Sequence, residues 1–140
     1  MIRYNKLPAN IEDLIPKALT YLRSRPDILF VYFFGSFGRG KHLPLSDLDI
    51  AVYLKEPMNV QEKRMEILGG LIDVLQTDEI DLVVLNNASL PLRMKILVSK
   101  KVVVDHVPSQ RHIYESLTMR EYFDFSIKEK DILYRRFLSG

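Results

Sequence analysis

Phe34-Gly35-Ser36-Phe37-Gly38-Arg39-Gly40, followed shortly by Ser46-Asp47-Leu48-Asp49, is the stretch on which the reading of this chain turns. The Gly-Ser step leaves an apolar run, Ile28 to Phe34, and the acidic pair opens another, Ile50 to Leu54. In a strand, residues i and i+2 point the same way, so Asp47 and Asp49 present two carboxylates on one face at a strand start. Close carboxylates repel each other unless a cation sits between them. The usual cation is Mg2+, which takes one or two carboxylates plus substrate phosphates. The glycine loop is the complementary half, because glycine lets the backbone approach a phosphate and a following helix start aims its N–H groups at the anion. Phosphate on one side and metal on the other predict metal-assisted transfer of a nucleotide.

Working outward from this stretch, the flanking elements are legible. Upstream, Ile11, Leu14, Ile15, Ala18, Leu19 and Leu22 fall at helical spacing, with Asn10 as a cap. Pro16 is awkward inside a helix, so the start is expected nearer Ile15, with Pro16 in the first turn. Ile28 to Phe34 is β-branched and aromatic with apolar residues on both faces, which suits a central strand covered on both sides. Asp47 to Leu54 is the second strand, closed by Pro57. Downstream, Asn59 to Gln76 reads as an amphipathic helix with Val60, Met65, Leu68, Leu71, Ile72 and Leu75 on its apolar face. Gly69-Gly70 weakens that helix, and close packing against a strand accounts for it.

Glu79 to Leu85 is the third strand, in which Ile80, Leu82 and Leu85 read as buried while Asp81 points with Val83. Ser89 caps a short helix, Leu90 to Ser99, and Val102 to Asp105 is a last strand. Arg93, Lys95, Lys100 and Lys101 form a basic cluster, read as a solvated helix end rather than a nucleic-acid contact. From Gln110 to Leu138 the chain reads as one long helix capped by Ser109. Its apolar content exceeds what one face needs, so it either packs back on the domain or offers a surface to a partner helix.

The 140 residues suit one domain, with residues 1–108 as its body and 109–140 as a helical extension. An apolar share of 47% with 27% charged residues is ordinary for a soluble globular chain. The net charge of +2 says little about nucleic acid. The absence of cysteine excludes disulfides and thiolate metal sites and fits a reducing compartment. No run approaches a membrane span, so a cytoplasmic location is expected. A Walker-type loop is excluded because Lys41-His42 cannot replace Gly-Lys-Ser/Thr. A dinucleotide fold fails on the glycine spacing. His42 reads as a loop residue, since no second histidine is near it.

Gly35-Ser36, ten residues, then Asp47-x-Asp49, with Gly38-Arg39-Gly40 between, resembles the signature of the polymerase-β-like nucleotidyltransferases. The short length is similar to that of the minimal nucleotidyltransferase (MNT) antitoxins, partners of HEPN-domain toxins. The resemblance covers roughly residues 10 to 105. It implies an α/β (α+β) fold, with a small mixed sheet of about four strands, packed helices and a C-terminal helix.

The resemblance also implies roles. Asp47 and Asp49 would hold two Mg2+ ions. Asp81, as third carboxylate, would act as base toward the attacking hydroxyl or complete the second metal's shell. Gly35, Ser36 and the loop N–H groups would hold the phosphates of ATP. Arg39 and Lys41 either meet triphosphate oxygens or remain solvated charges. The implied reaction moves AMP from ATP to a tyrosine of a HEPN RNase toxin and silences it. Two alternatives stay open, an antitoxin that neutralises its toxin by binding alone and a nucleotidyltransferase for a small-molecule acceptor. Intact carboxylates favour the enzyme. The chain is short for a separate substrate domain or for a template-directed polymerase. Direct contact with nucleic acid is not expected. A homo- or hetero-oligomer through the C-terminal helix stays open beside simple packing of that helix on the domain.

Overall fold

The computed structural model describes residues 10–35 and 47–137. Strands β1 (Ile28–Phe34), β2 (Leu48–Leu54), β3 (Ile80–Val84) and β4 (Lys101–Asp105) form one sheet in the order β3-β2-β1-β4. β1 runs antiparallel to both β2 and β4, whereas β2 and β3 are parallel. The sheet is therefore mixed, and the fold is α+β. A parallel neighbour needs a crossover, and α2 (Val60–Leu75) makes it between β2 and β3. No described helix is long and apolar enough to cross a membrane.

Both sheet faces are covered. All seven residues of β1 are buried, as a central strand requires. On one face α1 (Ile11–Ser24) and α2 pack through Leu14, Ala18, Leu22, Ile67, Leu71 and Leu75 onto Ile50, Val52 and Leu82. On the other, α3 (Leu90–Ser99) and the start of α4 (Pro108–Phe137) cover Phe30, Tyr32, Phe34 and Ala51. Phe30 stacks on Tyr53 at 4.7 Å between centroids, and Tyr114 of α4 tilts against both rings. Beyond the end of β3, the Asn86 amide replaces a ladder step. It accepts from Leu54 N–H at 2.8 Å and donates to Leu54 C=O at 2.9 Å.

Several sequence expectations are corrected. α1 begins at Ile11, so Pro16 lies inside it rather than in its first turn. Ile11 and Leu14 reach the core from those early turns, and that burial outweighs the hydrogen bond a proline removes. Met65 points out, 59% exposed, and Ile67 takes the core position. Gly70 packs not against a strand but against α1, where a Cβ would overlap the Tyr21 ring. α4 begins at Pro108, because proline's missing N–H costs nothing at a first helical position. α3 runs from Leu90 to Ser99 as expected, and Ser89 Oγ accepts from Leu92 N–H at 3.4 Å.

Candidate functional site

The site lies at the sheet edge where β1 ends and β2 and β3 begin. In register, Phe34 pairs with Asp49 across the antiparallel ladder, and Asp49 pairs with Asp81 across the parallel one. Residues paired in this way present their side chains on the same face. Asp49 and Asp81 therefore stand side by side on the face that α3 and α4 cover. Asp47 precedes β2 rather than opening it, and it is exposed. Asp81 is exposed and Asp49 half-buried, so a deeper carboxylate is flanked by two wetter ones.

This crowding has an electrostatic consequence. The Asp49 carboxyl is pushed up to about 6, by partial burial first and then by the charges of Asp81 and Asp47. The Lys95 ammonium on α3 opposes that push. Among the described residues, no group of three or more His, Cys, Asp or Glu side chains could hold a metal ion. A closed cage is not what Mg2+ requires, however. It takes one or two carboxylates and fills its shell with water and substrate phosphate. Hard carboxylate oxygens that repel one another and lack a full countercharge fit that demand.

Gly35 sits directly over this carboxylate. Its φ is +64°, the left-handed region, and a Cβ there would overlap the Asp49 carboxyl group. Only glycine combines that backbone conformation with that approach. The Gly35 N–H donates to Ser99 Oγ at 3.1 Å, and the Ser99 hydroxyl donates to Lys95 C=O at 3.4 Å. Ser99, the buried last residue of α3, therefore ties the loop start to the helix that carries Lys95. Sequence reasoning missed Ser99 and placed Lys95 on a solvated helix end. The only available signal was a serine closing an apolar helix turn, which is too common to single out. Ser36, Arg39, Lys41 and His42 lie outside the described residues.

A second concavity lies elsewhere. An open groove of about 350 Å³, between Tyr53, Arg93, Tyr114 and Leu117, lies toward the far end of β2 from Asp49. It shares none of the three carboxylates.

The family model for polymerase β nucleotidyltransferases matches residues 17–108. The chain belongs to the polymerase β nucleotidyltransferase family. No curated protein matches the sequence significantly. Solved structures do. A toxin–antitoxin crystallised with AMP-PNP is 26% identical, with a TM-score of 0.69 over 87% of this chain and 94% of that one. A mutant MntA–HpeT toxin–antitoxin is also 26% identical, with a TM-score of 0.68 over the same shares. The complex of a tri-AMPylated Shewanella oneidensis HEPN toxin with its MNT antitoxin is 24% identical, with a TM-score of 0.64 over 89% of this chain and 93% of that one. That last likeness is one of fold.

Proposed function

We propose that this chain is a Mg2+-dependent nucleotidyltransferase that moves AMP from ATP to a tyrosine hydroxyl of a HEPN-domain toxin, and so acts as its antitoxin. The observation that carries this reading is the placement of Asp49. It lies beneath a glycine that admits no side chain and in register with Asp81, with Asp47 two residues before it. Family membership supports the reaction class. The AMP-PNP bound to a similar toxin–antitoxin supports an adenine nucleotide as donor and a toxin as partner.

Each residue has a task in this reading. Asp47 and Asp49 would hold Mg2+, with Asp81 completing the shell or acting as base. Bound there, the metal offsets the negative charge that builds on the phosphates. Gly35 opens the backbone toward the nucleotide. Ser36, Arg39 and Lys41 follow it in sequence and contribute N–H, hydroxyl and cationic groups to the phosphates. Asp81 takes the proton of the acceptor hydroxyl. The acceptor oxygen bonds the α-phosphorus, the bond from that phosphorus to the pyrophosphate oxygen breaks, and pyrophosphate leaves.

The test is incubation of the chain with α-labelled ATP, Mg2+ and the toxin, beside an Asp47→Asn/Asp49→Asn variant. Label on the toxin from the intact chain, with at least about 1,000-fold less from the variant, is the expected result. No label, with toxin RNase suppressed equally by both forms, would replace catalysis with neutralisation by binding. No label and no suppression would redirect the search to small-molecule acceptors.

A further inference from the structure

The groove toward the far end of β2 has a chemistry of its own. Tyr53 follows Asp49 by four residues, about 13 Å along the strand at roughly 3.3 Å per residue. The groove of about 350 Å³ adjoins a second cleft of about 260 Å³, and Tyr53, Arg93 and Tyr114 line both. Together they fall within the roughly 300–1,000 Å³ of small-ligand sites. Neither is lined by Asp47, Asp49 or Asp81.

One wall is aromatic. Tyr53 stacks on Phe30 with 6° between the ring planes. Tyr114 meets Tyr53 at 5.2 Å and Phe30 at 5.6 Å between centroids. Rings held by their neighbours in this way give a flat ligand a rigid surface, with little freedom left to lose on binding.

Two polar atoms in the same walls are unanswered. Arg93 Nε and Tyr114 Oη are buried with no hydrogen-bond partner among the described residues. Buried polar groups are ordinarily hydrogen-bonded, so both atoms call for a partner. The guanidinium Nε–H can only donate. Burial pushes the Tyr114 phenol up to about 12, so it keeps its proton near neutral pH and can donate as well. Two donors ask for an acceptor oxygen.

The charges favour an anion as that acceptor. Arg93 and Lys55 line the two clefts, against one acid, Glu121. Arg93 Nη2 donates to Glu121 at 3.2 Å, and Nη1 to Thr118 Oγ1 at 3.4 Å. Glu121 is 53% exposed, and an ion pair so open to water contributes little, which lets an entering anion displace it.

We propose that this groove binds a small planar aromatic anion, with its ring against Tyr53 and Tyr114 and its carboxylate or phosphate oxygens taking the Arg93 and Tyr114 donors. A mononucleotide and an aromatic carboxylic acid share this chemistry. The inference stands apart from the proposed reaction, because the groove uses none of its residues.

The test titrates the full chain without Mg2+, once with AMP and once with phenylacetate, and follows the backbone amides by NMR. Shifts are expected at Tyr53, Arg93 and Tyr114, and the tighter of the two anions identifies the source. Their neutral counterparts, adenosine and phenylacetamide, should bind about tenfold more weakly. Arg93→Lys keeps the charge and removes the buried Nε donor, and should weaken the anion about tenfold. Tyr114→Phe keeps the ring and removes the hydroxyl, for a loss of a few fold. Glu121→Gln removes the competing acid and should tighten binding a few fold. Circular dichroism of each variant separates lost binding from lost fold. Silence at Tyr53, Arg93 and Tyr114 with either anion at about 10 mM, beyond the ~1 mM Kd of a weak site, would overturn the proposal. So would shifts confined to Gly35, Asp49 and Ser99, which would place the anion at the carboxylate site. Neutral counterparts that bind as tightly as the anions, or an affinity unmoved by both Arg93→Lys and Tyr114→Phe, would overturn it too.

Discussion

Two partly buried carboxylates on the same side of the sheet, Asp49 and Glu115, have opposite surroundings. Burial raises both. Asp49 then meets Asp81 and Asp47, and its carboxyl rises to about 6. Glu115 instead accepts from Tyr32 and Arg111 and lies 3.4 Å from Lys100, and these partners hold it below the ordinary carboxylate range despite burial. One site leaves charge uncompensated, at a cost in stability, where a cation and phosphates can enter. The other gathers several donors on a single acid and fixes α4 to β1 and to Lys100. Charge left open marks a place for a ligand, and charge closed off marks an anchor.

Four substitutions would break or sharpen this contrast. The largest effect is expected from Gly35→Ala, which adds a methyl where the Asp49 carboxylate lies and forces a left-handed backbone on alanine. Transfer activity should fall about 100-fold, and stability by about 2 kcal/mol in urea titration. Activity within a factor of three of the parent would show that the loop and Asp49 need not touch. Next, Glu115→Ala takes this acceptor from the Tyr32 hydroxyl and Lys100 and leaves Arg111 paired with Asp105. It should cost about 2 kcal/mol and loosen α4, read as faster amide exchange around Tyr114. Because Glu115 is lowered in the fold, its contribution is present above the ordinary glutamate range and is lost as pH falls through the folded value. The parent and Glu115→Ala should therefore converge in acid.

Asp49→Asn carries the opposite sign. An acid raised in the folded state destabilises it once ionised. The penalty is absent below 3.8, grows between 3.8 and about 6, and is full above that. The variant should be about 1 kcal/mol more stable than the parent at pH 7.5, after solvent screening, and equal to it at pH 3.5. A less stable variant at pH 7.5 would mean that Asp49 is an anchor like Glu115. The smallest effect is expected from Ser99→Ala, which removes one hydrogen bond to Gly35. It should cost about 1 kcal/mol and raise the KM for ATP a few fold with little change in kcat, and Ser99→Thr should restore both. A fall in kcat alone, not rescued by threonine, would detach Ser99 from loop placement.

The candidate site was legible in one dimension because it depends on residue type at short spacing. Asp47 and Asp49 beside a Gly-Ser step, the β-branched run of β1, and the Ser89 cap that starts α3 all carry local signals. Asp81 was legible as an acid breaking an apolar strand, and the family resemblance supplied its partner. The anchors were not. Tyr32 and Glu115 lie 83 positions apart, and nothing in either segment names the other. Ser99 and Gly35 are 64 positions apart, joined because β1 and α3 end at the same sheet edge.

What the sequence by itself determined is therefore the candidate carboxylates beside a Gly-Ser step and the strand and helix runs. Each is fixed by periodicity or by residue type at short spacing along the chain. Only the tertiary structure decided that β3 joins β2 in parallel, which sets Asp81 beside Asp49, and that the first half of α4 is tied to β1, β4 and α3. It also decided that Met65 yields the core to Ile67. Periodicity shows which side of an element is apolar, but strand order and register select what that side meets, and those are settled by packing between segments far apart in the chain.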